Sequence, residues 1–139
     1  MGKFKMIFKF LKKLFEGKEQ SENTDIVNSL LPIHFSSITT VSTTPSNSQI
    51  GSNDFFLVEY KEKQYWALFQ CPCGCGEIIS LSLQNEHHKS WYVVKSKNNR
   101  PTLHPSVWQN EGCYSHFIIT DGRIYWCGNN GFAPDFEEV

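Results

Sequence analysis

The chain has 139 residues and a formal net charge of -1, which is room for one compact domain and not two. Hydrophobic residues make up 40% and aromatics 14%, enough for a core, and the near-zero charge excludes the broad basic surplus of a general nucleic-acid binder. No apolar run approaches the ~18 residues that cross a bilayer, which argues against an integral membrane protein.

Charge is unevenly spread. Residues 1–20 carry six lysines against Glu16 and Glu19, a net of +4, and the remaining chain carries a net of -5. Phe4, Ile7, Phe8, Leu11, Leu14 and Phe15 recur at helical spacing, with Lys5, Lys9, Lys12 and Lys13 filling much of the other side. Residues 1–16 therefore read as a basic amphipathic helix of about four turns. Such a helix can lie on an anionic membrane surface, dock in a partner's groove, or pack on its own domain; a leftover tail is a weaker option. Its lysines interrupt the apolar positions and no small-residue cleavage site follows, so it is not a signal peptide. Met6 stands where an N-myristoylation motif needs Ser or Thr. The expectation is a cytoplasmic protein, with peripheral contact at the inner membrane surface as one use of residues 1–16.

Residues 17–53 read as a linker. Ser36 to Asn53 is dominated by Ser, Thr and Asn, with Pro45 and Gly51, a composition that buries little. Ahead of it, Ile26 to Phe35 is a short apolar island that can dock on the domain. The folded unit is expected over 54–139. Phe55–Tyr60 and Gln64–Gln70 are β-rich runs joined by Lys61-Glu62-Lys63, a hairpin pattern. Glu77–Leu83 and Trp91–Lys95 follow as strands, then a loop at Lys97 to Arg100. His116–Thr120 and Arg123–Trp126 flank Asp121-Gly122, the signature of a type I′ hairpin turn. The fold class is mostly β: a small antiparallel domain of roughly five or six strands, stapled by a metal site.

Five cysteines are present, and Cys71, Cys73 and Cys75 are too close to pair with one another without strain. Clustered thiols without a signal peptide read as metal ligands. On an extended chain the three would share a face, with Gly74 and Gly76 letting the backbone turn around an ion. Zinc takes four ligands in a tetrahedron. Cys113 and His116 form a Cys-x-x-His pair able to complete the site, and Cys127 is a weaker candidate. Two assignments follow: Cys71, Cys73, Cys75 and Cys113, or a set that drops one clustered thiol and uses His116. Against zinc stand metal-free reduced cysteines, an oxidation hazard at this spacing, and an iron–sulfur cluster, to which the tight CxCxC spacing is less suited.

Phe69 to Gly76 (FQCPCGCG), Trp91, Leu103-His104-Pro105-Ser106-Val107, Gly112-Cys113-Tyr114-Ser115-His116-Phe117 and Gly122-Arg123-Ile124-Tyr125-Trp126 stand in that order. The pattern resembles a bacterial family known as domain of unknown function 6527, over about residues 55–128. Members of that family are encoded beside bacterial ubiquitin-like proteins and their activating and conjugating (E1- and E2-like) enzymes. The resemblance implies a zinc-binding component of a ubiquitin-like modification pathway, with those proteins as partners, acting as a peptidase that trims or removes the modifier. It implies nothing about the N-terminal segments.

A serine mechanism needs a hydroxyl beside a free imidazole. Ser106 is the preferred nucleophile and His116 the preferred base, if the thiols satisfy the metal. Ser115 neighbours His116 on a strand and points away from it. His104 is an alternative base, with Asp121 or Glu77 as candidate orienting acids. The blander readings are a turn hydroxyl at Ser106 and a metal-ligand role for His116. A zinc peptidase is disfavoured, because no H-E-x-x-H motif is present and a thiolate-rich site leaves no open position for water. His87 and His88 read as solvated turn residues. The alternative function is a non-catalytic zinc module that presents exposed aromatics, with Trp66, Trp108 and Trp126 as candidates, to a ubiquitin-like protein or its conjugating enzyme.

Overall fold

In a computed structural model of the chain, the described residues are 31–87 and 89–134. The helix expected over 1–16 lies outside them, as does His88. Among the described residues no helix is long and apolar enough to cross a membrane.

Among the described residues, eight strands form two four-stranded sheets. The first holds β1 (Ile38–Val41), β2 (Phe55–Tyr60), β3 (Lys63–Gln70) and β4 (Ile78–Ser82), and the second holds β5 (Tyr92–Lys95), β6 (Pro101–Trp108), β7 (His116–Thr120) and β8 (Arg123–Trp126), each in sequence order. All pairs are antiparallel except β1–β2. The mostly β, antiparallel-rich fold expected from the sequence is what the chain adopts. Both hairpins form, the first with Lys63 paired to Tyr60 at the start of β3 and not in the turn. Lys61 and Glu62 have φ of 51° and 65°, and Asp121 and Gly122 have φ of 49° and 73°, the left-handed pair that a type I′ turn requires.

The sheets face each other across one core. Phe55, Leu57, Ala67, Phe69, Ile79 and Leu81 come from the first sheet and Val93, Leu103, Val107, Phe117 and Ile119 from the second. They alternate with outward residues along their strands, as sheet packing demands.

The segment expected to be a linker departs from that expectation between residues 33 and 53. Phe35 is fully buried against Phe55 and Phe69, with ring centroids 5.5 Å away in both cases. β1 adds to the first sheet, and Asn99 clasps it, its backbone oxygen accepting from the Ile38 N–H and its Nδ2 donating to the Ile38 carbonyl. After the short 3-10 helix Asn47–Gln49, Ile50 is buried on the outer face of the first sheet beside Val58 and Leu68. A few apolar side chains placed at the right intervals outweigh a polar average. The backbone also closes tightly here: the His34 and Phe35 N–H groups donate to the Gly122 carbonyl, and a Cβ on Gly122 would lie 2.1 Å from the Phe35 carbonyl oxygen. Phe35→Ala is expected to cost about 3–5 kcal/mol in urea denaturation. An unchanged midpoint would remove this segment from the folded unit.

β6 is the other departure. Pro101 and Pro105 argue against a regular strand, yet Pro101 stands at its first position and Pro105 in an irregularity. Leu103 pairs with Ile119 and Val107 with Phe117, so three residues of β6 oppose Ile118 alone. This bulge carries Ser106.

Candidate active site and metal centre

The cysteine loop follows β3 directly. Cys71 is buried, while Cys73 and Cys75 are exposed. The loop is not the extended run that would put the three thiols on one face. Cys71 N–H donates to the Glu77 carbonyl at 2.8 Å and Gly74 N–H to the Cys71 carbonyl at 3.2 Å, with Gly74 and Gly76 at φ of 90° and 86°. The chain turns around the sulfurs, which is where the glycines act. Cys113, from the loop before β7, completes the group.

All four sulfurs lie within 4.8 Å of one another, with Cys71 Sγ 3.4 Å from Cys73 Sγ and 3.8 Å from Cys113 Sγ. Tetrahedral zinc with Zn–S near 2.3 Å separates its sulfurs by about 3.8 Å. The donor set and spacing therefore fit such an ion, and the cluster could hold one. Ser115, itself buried, donates its hydroxyl to Cys113 Sγ at 3.1 Å. Burial pushes the Cys71 thiol well above its ordinary range, and burial raises Cys75 as well. At Cys73 burial also acts upward, but hydrogen bonds from Ser115 and Cys71 outweigh it and bring the thiol down to about 7. Cys127 is not in the cluster.

His116 is not in the cluster either. It opens β7 and pairs in register with Trp108 of β6. The two rings stack with centroids 4.2 Å apart and planes within 1°, which restricts rotation of the imidazole. His116 Nε2 lies 3.2 Å from Ser106 Oγ, because the β6 bulge presents Ser106 to the start of β7. On the other side of the ring, His116 Nδ1 contacts Asn129 Oδ1. A carboxamide oxygen only accepts, so the proton sits on Nδ1 and the Nε2 lone pair faces the serine hydroxyl. Asn130 Oδ1 accepts from the His116 backbone N–H at 3.0 Å. The turn bearing both asparagines is held by Cys127 N–H to the His116 carbonyl at 2.9 Å and Gly131 N–H to the Tyr114 carbonyl at 3.0 Å.

Asn129 gave no sequence signal, lying in Gly128-Asn129-Asn130-Gly131, which reads as a plain turn. The acids considered as orienting groups lie elsewhere. Asp121 is engaged by Arg123 at 2.7 Å and Arg100 at 3.3 Å in the β7–β8 turn, and Glu77 closes the cysteine loop through its carbonyl. His104 stacks on Tyr92 with centroids 5.0 Å apart. His87 contacts the Ser82 hydroxyl, a second Ser–His pair, but Ser82 is buried at 8% exposure and is shielded from a substrate. Of the aromatics considered for display, Trp66 packs on the outer face of the first sheet, Trp108 covers His116, and Trp126 is exposed. A cleft of about 610 Å³ between β4 and residues 109–113 reaches Cys113, but neither Ser106 nor His116 lines it.

A hydroxyl, an imidazole and a carboxamide in line are able to carry out acyl transfer. Comparisons with curated proteins and with solved structures give no match. The setting implied by the motif resemblance, a bacterial ubiquitin-like system, is supported by a family-level match that covers residues 40–127, more than half of the chain. The chain belongs to the BubE family, the bacterial ubiquitination-like system serine proteases.

Proposed function

We propose that this protein is a serine peptidase that cleaves the acyl bond at the C-terminal tail of a ubiquitin-like protein, with Ser106 as nucleophile and His116 as general base. The observation that carries the reading is the 3.2 Å contact between Ser106 Oγ and His116 Nε2, with Nδ1 held by Asn129. Ser106 Oγ attacks the carbonyl carbon while its proton passes to His116 Nε2. The resulting imidazolium returns that proton to the departing group as the carbonyl re-forms, leaving an acyl ester on Ser106. Water, deprotonated by the same nitrogen, then releases the tail carboxylate and frees the serine. Asn129 fixes the tautomer, and Trp108 holds the ring in plane with the hydroxyl.

The four thiolates of Cys71, Cys73, Cys75 and Cys113 are proposed to bind zinc as a closed structural site. Zinc there would supply a cross-link between the loop after β3 and the loop before β7. Ser115 serves that site as a hydrogen-bond donor, not as a nucleophile. The partners proposed are the ubiquitin-like protein and its activating and conjugating enzymes, in the cytoplasm and without nucleic acid.

A fluorophosphonate probe tests the reading directly. Intact mass and peptide mapping are expected to place one adduct on Ser106, absent from Ser106→Ala. An adduct elsewhere would overturn Ser106 as the nucleophile, and none in protein that is folded and metal-loaded would leave the chain a binding module.

A further inference from the structure

The catalytic groups sit on the side of the second sheet that faces away from the core. Val93, Leu103, Val107, Phe117 and Ile119 point into the core. Alternation therefore turns Tyr92, Val94, His104, Trp108, His116 and Ile118 to the opposite side of the second sheet. Ser106 joins that side through its contact with His116. On β5, an edge strand, Tyr92 is 58% exposed and Val94 is 49% exposed. Tyr92 lies opposite His104 in register and stacks on it, and His104 is two residues from Ser106. An exposed aromatic and an exposed aliphatic thus share with the nucleophile the face that any acyl group must approach, Tyr92 reaching toward it through His104 and Val94 lying one step further along β5 opposite Thr102. The 610 Å³ cleft does not reach this pair.

The geometry points to this face, through Tyr92 and Val94, as the docking surface for the folded body of the ubiquitin-like protein while its extended tail crosses Ser106. The inference rests on the proposed peptidase reading. The occupant follows from continuity: the polypeptide that delivers its tail to Ser106 must cover the residues next to it. An apolar, rigid aromatic contact beside a polar reacting centre is the usual make-up of an interface anchor.

The full chain carrying Tyr92→Thr and Val94→Thr together keeps strand-compatible side chains. Two substrates separate the roles: a fusion of the ubiquitin-like protein to a C-terminal reporter, and p-nitrophenyl acetate. The double variant is expected to lose about 10–100-fold in kcat/KM on the fusion, chiefly through KM, with ester hydrolysis and melting temperature unchanged. Undiminished fusion cleavage, or an equal loss on both substrates, would overturn the inference. Hydrogen exchange on the Ser106→Ala full chain reads docking without chemistry. Added ubiquitin-like protein is expected to protect residues 92–95. Protection already complete before it is added would mean that the chain's own residues cover the face, and would also overturn it. If Ser106→Ala still cleaves the fusion, the peptidase reading fails, while the exchange result continues to report docking independently.

Discussion

Ser106→Ala is expected to remove cleavage of a ubiquitin-like fusion, lowering kcat by about 10⁴–10⁶-fold while leaving the fold and metal content intact. The hydroxyl supplies the bond-forming oxygen, and no neighbouring group replaces it in register: Ser115 is buried and donates to Cys113, and Ser82 is buried on the other sheet. His116→Ala is expected to fall comparably, and the double variant no further, because groups that act as one unit do not lose activity additively. Asn129→Ala should cost less, about 10–1000-fold, since it frees the ring to choose the wrong tautomer without removing the base. Asn129→Ala activity equal to wild type would deny the turn any positioning role. Cleavage that survives Ser106→Ala would end the serine mechanism.

Metal removal is expected to have the larger effect on stability. A structural zinc site contributes about 10–16 kcal/mol of apparent binding free energy, while a domain of this size has a total stability of about 5–15 kcal/mol. Loss of the first is enough to cancel the second. Elemental analysis is expected to find one zinc per chain, and prolonged chelation to collapse the near-UV circular dichroism. Cys71→Ser and Cys113→Ser should not accumulate as folded protein. Cys127→Ser is the control, because its thiol lies outside the cluster, and should keep the wild-type melting curve. Activity should vanish with the metal even though no chemical step passes through it. Cys113 and His116 are three residues apart, and the Tyr114 carbonyl between them anchors the Gly131 N–H of the asparagine turn. Metal-free protein with an unchanged melting curve would refute the structural site.

The hairpins and the cysteine cluster were legible because their signals are local. Asp121-Gly122 states its own turn, and alternation over Phe55–Gln70 states its own strands. The Ser106–His116 pair was half legible: the residue types and the strand under His116 could be read, but not the bulge that brings Ser106 to it. β6 was missed because its prolines look like breakers when their pairing partner is unknown. Phe35 lies in the apolar island that could be read as docking on the domain, whereas β1 and the burial of Ile50 were missed because a Ser/Thr-rich average hides isolated apolar anchors.

By itself, the amino-acid sequence determined the strand periods, the tight turns and the clustering of Cys71, Cys73 and Cys75, since these depend on neighbours within a few residues. The tertiary structure alone decided that Cys113 and not His116 joins the three thiols, which imidazole nitrogen faces which hydroxyl, and that a carboxamide from a C-terminal turn stands behind it. Those facts depend on register between strands and on packing between residues far apart in the chain, which no local pattern encodes.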